Sequence, residues 1–136
     1  MVYISKIKIK SSRSDVKSFL NEVCEIIDEE DFNIEKNFMQ IRSRKSDSKY
    51  STPNTMLDLG YDAEDVVGVI KHLELKNYSE TLIDKDDNNP PLLFVFGKDI
   101  NSQTIYIKVK IKKKEEKYIL CLSFHYAMHE MTYPYA

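Results

Sequence analysis

Five side chains in the C-terminal third have the types that proton transfer beside an anion requires. In QTIYIKVKIKK, Tyr106, Lys108, Lys110 and Lys112 recur at every second position, and His125 closes the apolar segment ILCLSFH that follows. Ile105, Ile107, Val109 and Ile111 fill the intervening positions. Side chains alternate faces along a strand, so this period of two predicts one buried face and one presented face. An imidazole gives or takes a proton near neutral pH. Ammonium groups neutralise an anion, and a phenol donates a hydrogen bond or stacks. Lys98, just after Phe96 and Gly97, adds a cation nearby. Alternating lysines also keep strand faces soluble, so the surrounding elements must decide.

Residues 2–10 alternate weakly and predict a short strand whose lysines discourage further pairing, as suits an edge. Residues 11–14 offer N-cap hydroxyls, and Asp15 suits a first helical turn. Val16, Phe19, Leu20, Val23, Ile26 and Ile27 then recur at helical spacing, up to the acidic run 28–31. Residues 32–44 contain FMQIRSR, read as a strand, and 45–51 read as a polar loop. Thr52 as cap, Pro53 in first position and Gly60 as the left-handed closing residue predict a short helix. Asp62 starts a second helix through Leu73, with Glu64 and Asp65 in its first turn. After Tyr78, LIDKDDNNPP reads as a loop. Strands follow at 92–97, 103–112 and 117–126. Helices first and strands last predict an α+β fold, with helices packed on one face of an antiparallel sheet.

The 136 residues suffice for one domain spanning the whole chain, and 42% hydrophobic with 31% charged residues describes a soluble globular protein. Cys24 and Cys121 are far apart within apolar patterns, as reduced buried thiols of a cytoplasmic protein would be. No apolar run reaches membrane-spanning length, and MVYISKIKIK lacks the apolar core of a signal peptide, so no membrane partner is expected. The net charge of −2 hides an asymmetry. Residues 1–91 carry 13 Lys/Arg against 18 Asp/Glu, whereas residues 92–136 carry seven against four and two of the three histidines. The basic part thus suits an anionic partner. No metal and no cofactor is expected. Residues 84–88 resemble the start of a calcium loop, but Asn89 replaces its glycine and Val95 its glutamate. His125 and His129 follow a strand and lack a clear third ligand.

Residues 55–124 resemble the MqsR family of toxin–antitoxin ribonucleases. Two stretches carry the resemblance: LDLGYDAEDVVGVIKHLELKNY, and QTIYIKVKI followed by ILCLSFH. Residues 1–50 match poorly. The resemblance implies a RelE-like fold with two or three helices on one sheet face, and a cytoplasmic toxin that cleaves mRNA. It also implies a cognate antitoxin partner, which in this family often carries a zinc-binding domain and a helix-turn-helix domain. The family's proposed site combines a strand tyrosine with lysines and a glutamine. Tyr106 falls on the tyrosine position, and His125 stands where a lysine is expected after Ser-Phe. The glutamine position falls near Val95 and an earlier lysine position near Ser79, so neither is retained.

A hairpin turning at Lys114 and Glu115 would set Tyr106 opposite Ser123, Lys108 opposite Cys121, and His125 near Thr104. Ile119, Cys121, Ser123 and His125 then share the face of Tyr106, while Leu120, Leu122 and Phe124 join the core. Such a face could cleave RNA without a metal. A base takes the 2′-OH proton, O2′ attacks the adjacent phosphorus, and an acid protonates the departing 5′ oxygen. In this reading His125 is acid or base, and Lys108 and Lys98 stabilise the phosphorane. Tyr106 positions the phosphate or stacks on a base, and Lys110 and Lys112 hold flanking phosphates. Tyr133 and Tyr135 of the tail either pack over the sheet edge or line the RNA groove. The alternative is a non-catalytic module that uses the same Lys/Tyr face to bind RNA or an acidic protein.

Overall fold

The computed structural model describes residues 6–42, 48–84 and 92–136. Residues 2–5 of the expected first strand, residues 45–47 of the polar loop, and residues 85–91, including most of the calcium-like stretch, lie outside the described residues. The elements in order are β1 (Lys6–Ile9), α1 (Arg13–Asp28), α2 (Ile34–Asn37), β2 (Phe38–Gln40), α3 (Thr52–Leu59) and α4 (Ala63–Lys71). A 3-10 turn (Leu75–Asn77) leads into β3 (Tyr78–Asp84), β4 (Leu93–Ile100), β5 (Gln103–Lys113) and β6 (Lys117–Tyr126). The strands form one sheet in the order β1-β3-β4-β5-β6-β2. Every pair is antiparallel except β2 with β6. The fold is α+β, as the order of helices and strands implies.

Local chemistry sets most helix ends. Ser12 caps α1 by accepting from Asp15 N, and Asp62 and Asp65 form a reciprocal capping box at α4. Gly60 closes α3 at φ 70°. The α3 cap is Ser51 rather than Thr52, whose side chain does something else. Thr52 Oγ1 accepts from Phe124 N and Thr55 Oγ1 from Tyr126 N, both at 3.2 Å. Beyond the three residues of β2, α3 therefore covers the open edge of β6 with hydroxyls. Thr55 is fully buried and also donates to the Lys49 carbonyl. Thr55→Val keeps the shape but strands both groups, and should cost about 1–3 kcal/mol in urea denaturation. A loss below about 0.5 kcal/mol, the range of an inconsequential surface change, would contradict this role.

The helices cover one face. Val16, Phe19 and Val23 of α1 and Val66 and Ile70 of α4 join Phe94, Phe96, Ile105, Ile107 and Phe124 in the main core. Phe19 stacks on Phe94 with centroids 4.1 Å apart. At the start of α1, Ser11 N donates to the Tyr78 hydroxyl at 2.8 Å, and Ser11, Thr81 and Tyr78 share hydroxyl contacts of 2.6–2.7 Å.

Three expectations are corrected. Leu82, Ile83 and Asp84 belong to β3 rather than to a loop, because all three pair with β1 and Leu82 also pairs with β4. Among the described residues of the expected strand segment, 32–42, only Phe38–Gln40 is strand. It is preceded by a helical turn that Asn33 caps through Glu35 N and Lys36 N. The third correction is the β5–β6 register. The turn leaves three residues between Lys113 and Lys117, and Leu122 is extra on β6 between the pairs Lys108↔Ser123 and Val109↔Cys121. Tyr106 therefore lies opposite His125, and Lys108 opposite Ser123. Ile119 and Cys121 turn into the core, and Leu122 turns out to join Leu82, Leu93 and Val95 on the second face. A bulge inserts one residue and re-aims the side chains beyond it. Here it buries Ile119 and Cys121 yet still presents Ser123 and His125.

Candidate active site

The second face of the sheet is apolar only at its centre. Beside that patch lies a cleft of about 650 Å³, floored by Glu80, Tyr106, Lys108, Ser123 and His125 and walled by residues 127–132. Two bulges build the floor. Ser79 is extra between the pairs Tyr78↔Phe96 and Glu80↔Val95, so Tyr78 points into the core while Glu80 points into the cleft. The Leu122 bulge does the same for His125 on the far side.

Tyr106 and His125 stack at 5.2 Å between centroids with planes 12° apart. His125 Nδ1 lies 3.0 Å from the Tyr126 carbonyl. A carbonyl only accepts, so Nδ1 carries the hydrogen there and Nε2 is the nitrogen left to gain or lose a proton. Burial, and then the negative charge of Glu80, push the Tyr106 phenol up from its ordinary value. It stays protonated and offers O–H to an anion. The Glu80 side chain is 26% exposed and lies 3.8 Å from Lys8 Nζ.

Of the residues expected from sequence, Tyr106, Lys108 and His125 come together in the cleft. Lys98 does not. It pairs with Ile105, whose side chain is in the core, and so lies on the opposite face from Gly97 and Tyr106. Lys110 is only 4% exposed, opposite Leu120, which corrects the expectation of a presented lysine ladder. Lys112, opposite Tyr118, is half-buried and four residues beyond Lys108, about 13 Å along the strand.

The tail aromatics divide between two roles. Tyr133 packs over Gly97 beside a smaller hollow of about 360 Å³ that also takes in Asp99 and His129. Burial, and then Asp99, push its phenol up. Tyr135 passes to the helix side, where it stacks on Tyr78 at 5.7 Å, lies 4.9 Å from the Arg13 guanidinium carbon and donates to the Ser11 carbonyl at 2.6 Å. Tyr135 is thus an anchor of the tail. A Cβ at Gly97 would come within 2.9 Å of the Tyr133 ring carbons. Gly97→Ala should therefore destabilise by about 1–3 kcal/mol and speed hydrogen exchange in 127–136. Unchanged exchange there would show that the tail does not rest on Gly97.

Glu80 is the residue sequence reasoning missed. The Thr81-Leu82-Ile83 run carried the strand signal that would have found it. Neither thiol lines the cleft. Burial pushes Cys121 up to about 12, and burial followed by Asp28 raises Cys24, which donates to the Lys71 carbonyl. Among the described residues, no three His, Cys, Asp or Glu side chains gather as a metal site. No helix among them is long and apolar enough to cross a membrane.

The architecture is that of a small α+β protein whose bare sheet face holds an imidazole, a phenol, a carboxylate and an ammonium group in one cleft. Residues 32–126 match the family model described as motility quorum-sensing regulator, toxin of MqsA, and the chain belongs to this MqsR toxin family. It is therefore the toxin side of a toxin–antitoxin pair. The matched segment begins well before residue 55 and contains every floor residue of the cleft, but not β1, α1 or the tail. No curated protein and no solved structure matches the chain.

Proposed function

We propose that the protein is a metal-independent endoribonuclease of RelE-like fold that cleaves mRNA in the cytoplasm by 2′-OH attack. A cognate antitoxin, of the type with zinc-binding and helix-turn-helix domains, would hold it inactive. The observation that carries this reading is the stacked Tyr106–His125 pair beside Lys108 on the floor of an open cleft. His125 transfers a proton through Nε2. Tyr106 donates to a non-bridging phosphate oxygen, and Lys108 offsets the charge that builds on phosphorus. Tyr133, in the smaller hollow over Gly97 and next in the chain to the cleft-wall residue Thr132, would meet a flanking base. A docking surface built only on charge has less support, because Lys110 in the middle of the lysine row is buried.

The product ends test the chemistry. Attack by O2′ leaves a 2′,3′-cyclic phosphate and a 5′-hydroxyl, and a 2′-deoxy substitution at the cleaved nucleotide should block the cut. Fragments ending in 3′-hydroxyl would contradict the proposal, because they require water as nucleophile.

A further inference from the structure

We infer that Glu80 is the second catalytic residue, the general base that opposes His125 across the scissile phosphate. This rests on the ribonuclease reading above and adds a group that the sequence resemblance does not supply.

Proton transfer in this reaction needs two groups on opposite sides of phosphorus, since the attacking and departing oxygens lie on opposite sides. The sheet supplies them on either side of Tyr106. His125 comes from β6, paired directly with Tyr106, and Glu80 comes from β3, two strands away in the other direction. Glu80 lies in the row of Val95 and Lys108 and His125 in the row of Tyr106, so three strand spacings across and two residues along separate their backbones by roughly 16 Å, and both residues line the cleft. Glu80 and Tyr106 line the same cleft, and after burial the negative charge of Glu80 adds to the upward push on the phenol. The Ser79 bulge interrupts the regular β3–β4 pairing. Its consequence is to turn Glu80 out of the core layer that Tyr78 occupies. The charged and titratable groups around the cleft with Glu80 are Lys8 from β1, Tyr106 and Lys108 from β5, His125 from β6, and His129 and Glu130 from the tail.

The step balances without a further reagent. The Glu80 carboxylate takes the 2′-OH proton while O2′ forms its bond to phosphorus. The P–O5′ bond breaks as the His125 imidazolium gives its Nε2 proton to O5′. The roles follow from the groups, because a carboxylate is the natural acceptor and an imidazolium the natural donor.

Single-turnover cleavage of a mixed-sequence single-stranded RNA, followed as a function of pH, tests the assignment with the wild type, Glu80→Gln and His125→Ala. Glu80→Gln should lose about 10²–10⁴-fold in rate and lose the acid-side fall of the pH–rate profile. His125→Ala should instead lose the alkaline-side fall. Melting temperature, and affinity for the same RNA carrying 2′-deoxy sugars, should be unchanged or slightly raised in Glu80→Gln. The ion pair with the 77%-exposed Lys8 side chain is worth little to the fold. A Glu80→Gln rate within a few-fold of wild type, or an intact acid-side fall, would overturn the role of Glu80 and leave the ribonuclease reading standing. A wild type that does not cut the RNA would overturn both.

Discussion

His125→Ala should lower the proposed RNA cleavage by about 10²–10⁴-fold while the protein stays folded. The size follows from losing the proton donor for the 5′ oxygen, and the intact fold follows from how His125 is held. Its side chain hydrogen-bonds the carbonyl of the next residue, and its ring stacks on Tyr106 from a half-buried position. Neither contact joins elements that the β5–β6 ladder does not already join. Circular dichroism and melting should therefore match the wild type. Retained cleavage would remove His125 from the chemistry and leave the Tyr106 stack a packing feature.

Phe19→Ala should destabilise the protein by about 3–5 kcal/mol, the cost of emptying a large aromatic site. For a domain of this size that corresponds to a melting point lower by roughly 10–20 °C. Phe19 lies outside the segment matched to the family, yet its ring stacks on Phe94 at 4.1 Å and lies 6.2 Å from Phe96. Those two rings back the β4 segment whose other face carries Val95 and Gly97 below the cleft. A melting point within a few degrees of wild type would mean that α1 rests loosely on a sheet that folds without it. The same thermal scan, repeated on Glu80→Gln and His125→Ala, separates loss of fold from loss of chemistry.

How far the sequence reveals these features depends on whether a strand has one apolar face or two. β5 has one, so Ile105, Ile107 and Val109 identify the core face and Tyr106 and Lys108 the other, and the structure agrees. The caps at Asp62 and Gly60 are equally legible, because a carboxylate or a missing Cβ does one specific thing at a helix end. β6 differs. Ile119, Leu120, Cys121 and Leu122 are apolar on both faces, so no alternation reveals a bulge at Leu122. The register at Tyr106 was thus off by two residues, although the shared face of Tyr106 and His125 survived, since a shift of two preserves parity. Lys98 follows another run that is apolar on both faces, Leu93 to Phe96, which gave no sign that it lies across the sheet from Tyr106. Glu80 is not legible as a site residue because the Asp/Asn/Pro-rich stretch after residue 83 obscures the strand signal of Thr81, Leu82 and Ile83. The alternation of its neighbours marks Lys110 as presented, yet it lies opposite Leu120 and is buried.

The most direct measurement is incubation of a long single-stranded RNA with the purified protein in EDTA, with fragments resolved on a denaturing gel and their ends identified. The expected result is a set of discrete fragments ending in 2′,3′-cyclic phosphate, formed by the wild type and absent with His125→Ala. RNA left intact by the wild type would contradict a metal-independent ribonuclease and leave the cleft a binding surface.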